Sequence, residues 1–399
     1  MTIHQVACIG DVHARAGHSR NAARLKALDA IIAEGLALPN LSCWIQLGDL
    51  FDGKSSVQDR NDIAPRLQVM AEKAPVVILG GNHEAPGDTE ILGRLEARYP
   101  IGVATSPQVV RAYTGGVAIA AMPYPSRGGL IAGGTTAADT LQTGQRYLED
   151  ILRGFGSELL ERVQVGRPTL FVGHLNIAGA VYSSGQTSIG HELELDPSAL
   201  RLLGDMPKVL GHVHAPQEIG GAYYAGSITA NSWGEREAKR WILVEFEEGR
   251  DYRIISRPID TPPMVHVEGR LTREGFTLNP GDYPASWDGI ETRVRYSFLA
   301  SERDVLDHSL VRAPFAGALR LEVEPIAVPD RALRAPEVAA ARTLADKVQA
   351  WAHLSGATVT ESVLAKLAAL EHQDAAQALS TVATQIAALE HAEKSEAAA

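Results

Sequence analysis

The first 260 residues contain seven short apolar runs, separated by segments whose apolar residues have helical spacing. Several runs are apolar almost throughout, which is typical of strands covered on both faces by helices or by a second sheet. The runs are QVACIG, SCWIQLG, PVVILGG, GVAIAAM, PTLFVGH, KVLGHVH and RWILVEFE. This alternation predicts an α/β domain, or a layered αββα arrangement, over residues 1–260.

Three segments between these runs have the start, stop or apolar spacing of helices. Residues 21–35 carry an apolar stripe and reach Gly35, which we predict to be the C′ residue after the last helical turn. Residues 196–204 begin with Asp196 as N-cap and Pro197 at the first helical position. The longest predicted helix covers residues 138–163.

The pattern changes after residue 260. Pro262 and Pro263 indicate a domain boundary, and the alternating strands that follow predict a small α+β domain over residues 264–332. Residues 336–391 are Ala-rich and predicted to be helical, with one stripe from Val338 to Trp351, a capping box from Thr358 to Glu361 and a last helix over 379–389. Residues 392–399 are predicted to be a disordered tail.

The C-terminal helices leave two interpretations open. Their apolar faces either pack on the body of the protein or bind a helix of a partner.

Composition narrows the class of protein. Of 399 residues, 45% are hydrophobic and 21% charged, which is ordinary for a soluble globular chain. No run approaches the roughly 18 apolar residues of a membrane span, and the N-terminus enters a strand directly, so we expect a cytoplasmic protein without a membrane partner. Cys8 and Cys43 lie in strand-like runs and are predicted to be reduced core thiols.

The net charge of −11 argues against broad nonspecific adhesion to nucleic acid. It does not exclude a nucleic-acid enzyme whose positive charge comes from metal ions or from a partner.

Five apolar runs end in a Gly followed by polar side chains able to bind metal. This arrangement places the side chains at the carboxyl ends of strands, where open α/β sheets form their clefts. The side chains are Asp11 and His13, then Asp49, then Asn82, His83 and Glu84, then His174, and finally His212 and His214.

Oxygen and nitrogen ligands without thiolates suit Mn²⁺, Fe or Zn²⁺. The set is too large for one ion and is about right for two ions bridged by one carboxylate. Two divalent ions with the carboxylates Asp11 and Asp49 would leave a positive site, which favours an anionic substrate such as a phosphate ester and an activated water. His83 is the candidate to assist the leaving oxygen, because Asn82 would hold this segment at the metals.

The series GDVH, GDLFD, GGNHE, GHLN and GHVH resembles the metallophosphoesterase, or calcineurin-like phosphoesterase, superfamily. The resemblance implies an αββα sandwich with a dinuclear site. It implies Asp11, His13, Asp49 and His214 on one metal, and Asp49, Asn82, His174 and His212 on the other. His83 resembles the residue that stabilises the transition state or acts as general acid.

Within that superfamily, GHLNIAGAVYSSG, VLGHVHAPQEI and YYAGSITANSWGE are similar to SbcD-like nuclease subunits of DNA double-strand-break repair. This resemblance implies a Mn²⁺-dependent DNA exo/endonuclease that works as a homodimer. It also implies a small domain that caps DNA and C-terminal helices that dock on an SMC-like, SbcC-like ATPase.

The sequence departs from these nucleases at Glu84, where they usually have Asp, and at Ile228, where they usually have Pro. Glu84 is typical of the protein-phosphatase branch, but that branch has an Arg after the second Asp of its GDxxDRG motif, where Gly53 stands here. Two alternatives are therefore kept. The first is a stand-alone phosphodiesterase or phosphatase acting on small or protein substrates, and the second is a scaffold subunit for the ATPase.

Overall fold

The computed structural model describes residues 3–111, 116–125, 137–186, 193–247, 252–330 and 335–371. The α-helices are α1 Asn21–Leu36, α2 Val57–Ala71, α3 Ala137–Gln164, α4 Pro336–Ala340, α5 Leu344–Ser355 and α6 Glu361–Glu371. Short 3₁₀ helices cover Glu90–Arg94, Pro197–Leu203, Ala300–Glu302, His308–Val311 and Ala313–Phe315.

The strands cover most of the remaining regular structure. In chain order they are β1 Ile3–Ile9, β2 Leu41–Gln46, β3 Val76–Leu79, β4 Ile101–Ala104, β5 Gln108–Arg111, β6 Ala118–Met122, β7 Thr169–His174, β8 Asn176–Ile177, β9 Glu194–Leu195, β10 Lys208–Gly211, β11 Gln217–Ile219, β12 Ala222–Tyr224, β13 Arg240–Glu247, β14 Tyr252–Pro258, β15 Met264–Thr272, β16 Gly275–Leu278, β17 Glu291–Leu299 and β18 Arg320–Val328.

Two six-stranded sheets form the centre of the described structure. The first has the order β14-β13-β1-β2-β3-β4, and the second has the order β11-β12-β10-β7-β6-β5. Strands β1 to β4 are mutually parallel in the first sheet, and β6, β7, β10 and β12 are parallel in the second. Parallel strands end on one edge, so the segments after β1, β2 and β3 share an edge, as do those after β7 and β10.

The sheets pack face to face, with helices outside both. Along β1, Val6 and Cys8 enter the cluster between the sheets, whereas Ala7 and Ile9 face the cluster that α1 and α2 cover. Helix α3 covers the second sheet with Leu148, Leu152, Phe155 and Leu159. These layers are the predicted αββα sandwich, and side chains that alternate between two apolar layers explain why the strand runs lack polar positions.

Both cysteines are free and buried in the cluster between the sheets. No helix in the described part of the chain is long and apolar enough to cross a membrane.

The predicted helices differ from the observed ones at their ends. Helix α1 runs to Leu36, so Gly35 lies inside it and is not the C′ residue. A Cβ on Gly35 would lie 2.1 Å from the ring of Trp44, and the glycine therefore allows α1 to approach β2 closely. Asp196 caps Pro197–Leu203 as predicted, by accepting a hydrogen bond from the Ser198 N–H at 2.8 Å, although this helix is 3₁₀.

The predicted C-terminal stripe is interrupted. Ala341 is extended and ends α4, and Thr343 caps α5 by accepting from the Asp346 N–H at 3.0 Å. The predicted capping box at Thr358 is wrong, because α6 begins at Glu361, immediately after Thr360. The predicted helix over 379–389 and the tail over 392–399 lie outside the described residues.

A third sheet, of order β16-β15-β17-β18, has its own apolar cluster that includes Val267, Val294 and Phe315. A buried ion pair connects this sheet to the sandwich, with 3.2 Å between Arg20 Nε, just before α1, and Glu291 Oε2, at the start of β17. Arg320 approaches the same carboxylate oxygen at 3.5 Å.

Contacts divide the chain into one unit of residues 1–298 and 306–326 and a second of residues 299–305 and 327–399. The predicted domain limits at 260, 264–332 and 336–391 remain predictions.

Candidate metal centre

The polar side chains predicted from the strand ends lie together at one end of the sandwich. The first sheet contributes five of them, Asp11, His13, Asp49, Asn82 and His83, and the second sheet contributes His174, His212 and His214. Six of the eight line one cavity of about 360 Å³. Asp11 and His174 are buried beside it, where they contact the lining residues His212 and Asn82. All eight predicted site residues are therefore in one place, while their assignment to individual ions stays a prediction.

Asp49 is at the centre of the cluster. Its Oδ1 accepts hydrogen bonds from the backbone N–H groups of Asn82 at 2.9 Å and His83 at 3.0 Å. Its Oδ2 lies 3.4 Å from His174 Nε2, and 3.9 Å from Nε2 of both His13 and His83. One carboxylate oxygen is thus fixed by peptide groups while the other faces imidazoles from both sheets, a placement that suits a shared ligand.

Two groups of donor atoms converge on either side of Asp49. On one side, His13 Nε2 and His214 Nε2 lie 3.0 Å apart, and Asp11 completes a cluster with ligand atoms within 4.8 Å of one another. On the other side, Asn82 Oδ1 lies 3.0 Å from both His174 Nε2 and His212 Nδ1. Asp11, Asp49 and His174 form a further cluster that shares a member with each group, so the division of the ligands between two ions stays a prediction.

The donor atoms also have the chemistry that a divalent ion requires. Asp11 Oδ2 and His214 Nδ1 are buried without a hydrogen-bond partner among the described residues. A buried carboxylate oxygen without a partner is costly, and a cation would compensate it. His174 Nδ1 lies 2.7 Å from the Leu47 carbonyl and donates to it, which leaves Nε2 as the ligand atom.

The protonation of the cluster depends on burial and on the two carboxylates. Burial lowers the pKa of His13 to about 4, against the opposing charge of Asp49. Burial also disfavours a charged His174, but Asp49 and Asp11 outweigh it and raise the pKa of His174 to about 9. Burial, together with Asp49, raises the pKa of Asp11. His13 would therefore bind a cation without losing a proton near pH 7, whereas a cation at His174 would have to replace a proton.

Three of the candidate ligands have left-handed backbones. The φ angle is +52° at His13, +52° at Asp49 and +90° at His212. Residues with a side chain rarely adopt such angles, and each costs on the order of 1–3 kcal/mol unless its surroundings hold it in place. The strained residues are those that would contact metal. Their unusual backbone conformation sets the direction of their side chains.

Sequence reasoning missed the side chains that hold these strained segments. Arg24 donates to the backbone carbonyl of His13 at 2.5 Å, to Asp52 at 3.3 Å and to Asn231 at 2.9 Å. A signal for Arg24 was present in the sequence, since it is a charged residue on the apolar stripe of α1. Asp52 Oδ1 in turn lies 3.4 Å from His83 Nδ1.

The Glu84 carboxylate binds backbone groups and does not join the candidate metal ligands. Its carboxylate accepts from the backbone N–H groups of Leu50 at 2.5 Å, Phe51 at 3.3 Å and Gly81 at 3.0 Å. Burial and the neighbouring Asp49 raise the pKa of Glu84 to about 7. Glu84 therefore supports the loops on both sides of Asp49.

A cluster of His, Asp and Asn at the strand ends of an αββα sandwich defines a class of metal-dependent hydrolases that act on phosphate esters. The model of the calcineurin-like phosphoesterase family matches residues 4–216, which is more than half of the chain. The chain belongs to this family. The family domain indicates a phosphoester hydrolase; the family uses divalent metal ions, and the buried Asp and His clusters of this chain could bind them.

Proposed function

We propose that this chain is a nuclease subunit that hydrolyses phosphodiester bonds of DNA with two Mn²⁺ ions. In this proposal it works as a homodimer with an SMC-like ATPase in double-strand-break repair, recombination or end processing. The similarity of GHLNIAGAVYSSG, VLGHVHAPQEI and YYAGSITANSWGE to SbcD-like subunits supports this function.

The observation that carries the preference for a diester is the charge of the cavity wall. Among the described residues that line the cavity, Arg24 is the only Lys or Arg. Both of its terminal nitrogens donate hydrogen bonds, to the His13 carbonyl, Asp52 and Asn231. Gly53 stands where protein phosphatases have an Arg. A phosphomonoester carries up to two negative charges and benefits from a free guanidinium, whereas a diester carries one. The cavity therefore favours a diester.

The protein's own residues support departure of the leaving oxygen. The side chain of His83 is 39% exposed toward solvent, whereas that of Asp49 is 1% exposed. The hydrogen bond that His83 donates to Asp52 raises the pKa of His83, against the effect of burial. Because Asp52 engages Nδ1, the proton available to a substrate in the cavity is the one on Nε2. Metal ions held by the surrounding ligands would supply charge neutralisation and a lower pKa for water.

The substrate assignment is tested with Mn²⁺ and three substrates: end-labelled duplex DNA, p-nitrophenyl phosphate and bis-p-nitrophenyl phosphate. We expect cleavage of DNA and of the bis-ester, with little turnover of the monoester. Turnover of the small esters without cleavage of DNA, even with the ATPase present, would establish the alternative of a stand-alone phosphodiesterase or phosphatase.

The partner assignment is supported by the second unit of the chain. Helix α5 exposes Leu344, Trp351 and Leu354, and α6 exposes Val363. Exposed apolar residues at helical spacing suit a partner helix.

Substitution of Trp351→Asp is expected to weaken capture of the ATPase subunit by about tenfold or more, because an exposed apolar residue that the complex would bury becomes charged. Gln349→Asp, an exposed position on the same helix, is the matched control. Both variants should hydrolyse the bis-ester at the rate of the unchanged protein. Equal capture by the two variants would contradict docking through α5.

A further inference from the structure

Gln186, in the irregular segment that follows β8, contacts the backbone of the segment His212–His214. Gln186 Nε2 donates to the His212 carbonyl at 2.7 Å, and the His214 N–H donates to Gln186 Oε1 at 3.0 Å. Gln186 also lines the cavity. The amide of Gln186 thus binds both the His212 carbonyl and the His214 N–H. These two residues are candidate ligands, and they follow the end of β10.

This pairing has the pattern of a parallel sheet. In such a sheet, one residue donates its N–H to a carbonyl of the neighbouring strand and accepts, with its own carbonyl, from the N–H two residues further along that strand. Strand β10 ends at Gly211, so the Gln186 amide continues the hydrogen bonding of β10 by one more step. A side chain therefore does here what a neighbouring strand does in the rest of the sheet.

The segment needs this support because its backbone is strained. His212 has a φ of +90°, and its N–H donates to Asp11 Oδ1 at 3.0 Å. The His214 carbonyl accepts from the Ser227 N–H at 3.3 Å and from Lys239 at 3.4 Å. These contacts hold the two ends of the segment, whereas Gln186 bridges its middle.

The loop itself is fixed before it reaches the segment. Gln217 Nε2 donates to the Val181 carbonyl at 2.7 Å, and Gln217 Oε1 accepts from the Val181 N–H at 2.9 Å. Gly185 has a φ of +81°, and a Cβ there would lie 2.7 Å from Ser232 Cβ. An anchored, closely packed loop presents the Gln186 amide in one orientation.

We propose that Gln186 is a positioning residue: its amide holds His212 and His214 in the strained geometry that lets one strand end bind two metal ions. This inference rests on the metal-dependent hydrolase and does not require DNA to be the substrate.

The test uses Gln186→Leu, which keeps the side-chain size and removes both hydrogen bonds. Gln217→Leu is the control for loop packing, because Gln217 makes two hydrogen bonds with Val181 in the loop that carries Gln186 and one with the Ala215 carbonyl, but none with a candidate ligand. Mn²⁺ binding to chelator-treated full-length protein is measured by calorimetry, and hydrolysis of bis-p-nitrophenyl phosphate is measured across Mn²⁺ concentrations.

We expect Gln186→Leu to bind Mn²⁺ about 10–100-fold more weakly, as is usual when a group that orients metal ligands is lost. Its turnover should recover at high Mn²⁺ with the KM for the ester unchanged, and Gln217→Leu should stay within about threefold of the unchanged protein in both measurements. Gln186→Glu keeps the acceptor for the His214 N–H but turns an oxygen toward the His212 carbonyl, so its affinity should fall between those of Gln186→Leu and the unchanged protein.

Unchanged Mn²⁺ affinity in Gln186→Leu would overturn the proposal. Equal losses in Gln186→Leu and Gln217→Leu would also overturn it, because they would assign the effect to loop packing. None of these measurements uses DNA, so a failed nuclease assay and a failed positioning role are distinguishable.

Discussion

The two halves of the metal centre are supported by different kinds of side chain. In the half from the first sheet, the strained segments are held by ionisable groups, with Arg24 on the His13 carbonyl and Glu84 on the N–H groups that follow Asp49. In the half from the second sheet, neutral groups hold the ligands, with the Gln186 amide at His212 and His214 and the Leu47 carbonyl at His174; the exception is Asp11, itself a candidate ligand, which accepts from the His212 N–H. Lys239 reaches the His214 carbonyl but is neutralised by Glu235 at 2.7 Å.

This difference separates geometry from electrostatics. A charged support changes the potential at the metal as well as the direction of the ligand, because charges act over several ångströms in a buried site. A neutral amide acts through direction alone. Substitutions in the first half should therefore alter metal affinity by two mechanisms, and substitutions in the second half by one.

The largest expected effect comes from Asp49, which contacts both halves. Asp49→Asn replaces the oxygen that faces His174, His13 and His83 with a weaker ligand, so both ions should be lost. Hydrolysis of bis-p-nitrophenyl phosphate should fall to the level of the chelator-treated protein. Elemental analysis of the metal content should show that both ions are lost. Asp62→Asn on α2 is the control, and two tightly held ions in Asp49→Asn would contradict the central role of this carboxylate.

The next effect tests a residue of the first half that faces the substrate. His83→Ala should lower kcat by about 10²–10⁴-fold, the usual contribution of a general acid, while two ions remain bound. Asp52→Asn should cause a smaller loss, because Asp52 supports His83 and Arg24 and does not itself supply the proton. Full activity in His83→Ala would show that the imidazole does not assist the leaving oxygen.

A charged support should have a moderate effect. Glu84→Gln keeps the size of the side chain but removes the charge that Glu84 carries above its pKa of about 7, and turns an NH₂ group toward the backbone N–H groups of Leu50 or Gly81. Mn²⁺ affinity measured by calorimetry should fall by about 10–100-fold. A loss greater than that of Gln186→Leu would support the distinction between charged and neutral supports, and no loss at all would refute it.

The smallest effect on activity is expected from a pair of helix glycines. Gly35→Ala should destabilise the fold by roughly 1–3 kcal/mol, because the new methyl group meets the Trp44 ring. Gly154→Ala in α3, where a Cβ would have open space, should stabilise it by about 0.5–1 kcal/mol. Thermal denaturation measures both, and equal shifts would mean that the close approach of α1 to β2 is unimportant.

The sandwich and the ligand cluster could be predicted from the sequence because both leave local patterns. Strands buried on both faces are uniformly apolar, and Asp11, Asp49 and His212 each follow a Gly at the end of such a run. The positions of helix ends were harder to predict, since Thr358 and Thr360 both precede Glu361 and a local rule does not choose between them. Gly35 was misinterpreted because its close contact with Trp44 is a tertiary feature.

The supports of the centre could not be predicted for a related reason. Gln186 and Arg24 hold backbone atoms that are far away in the chain or lie on another element. Almost every residue type offers a backbone N–H and a carbonyl, so a hydrogen bond to backbone does not restrict the identity of the partner residue. The sequence therefore does not show which residues such a side chain contacts. Only the folded chain shows which peptide groups lack a strand partner and which side chains replace it.

The ion pair between Arg20 and Glu291 has a consequence for how the protein denatures. Both side chains are buried, so separating the third sheet from the sandwich would deprive Arg20 of its carboxylate partner, whereas Glu291 would keep Arg320 of its own sheet. A partly unfolded form in which only the sandwich or only the third sheet has unfolded is therefore unfavourable. The sandwich and the third sheet should melt together, as one cooperative transition in calorimetry.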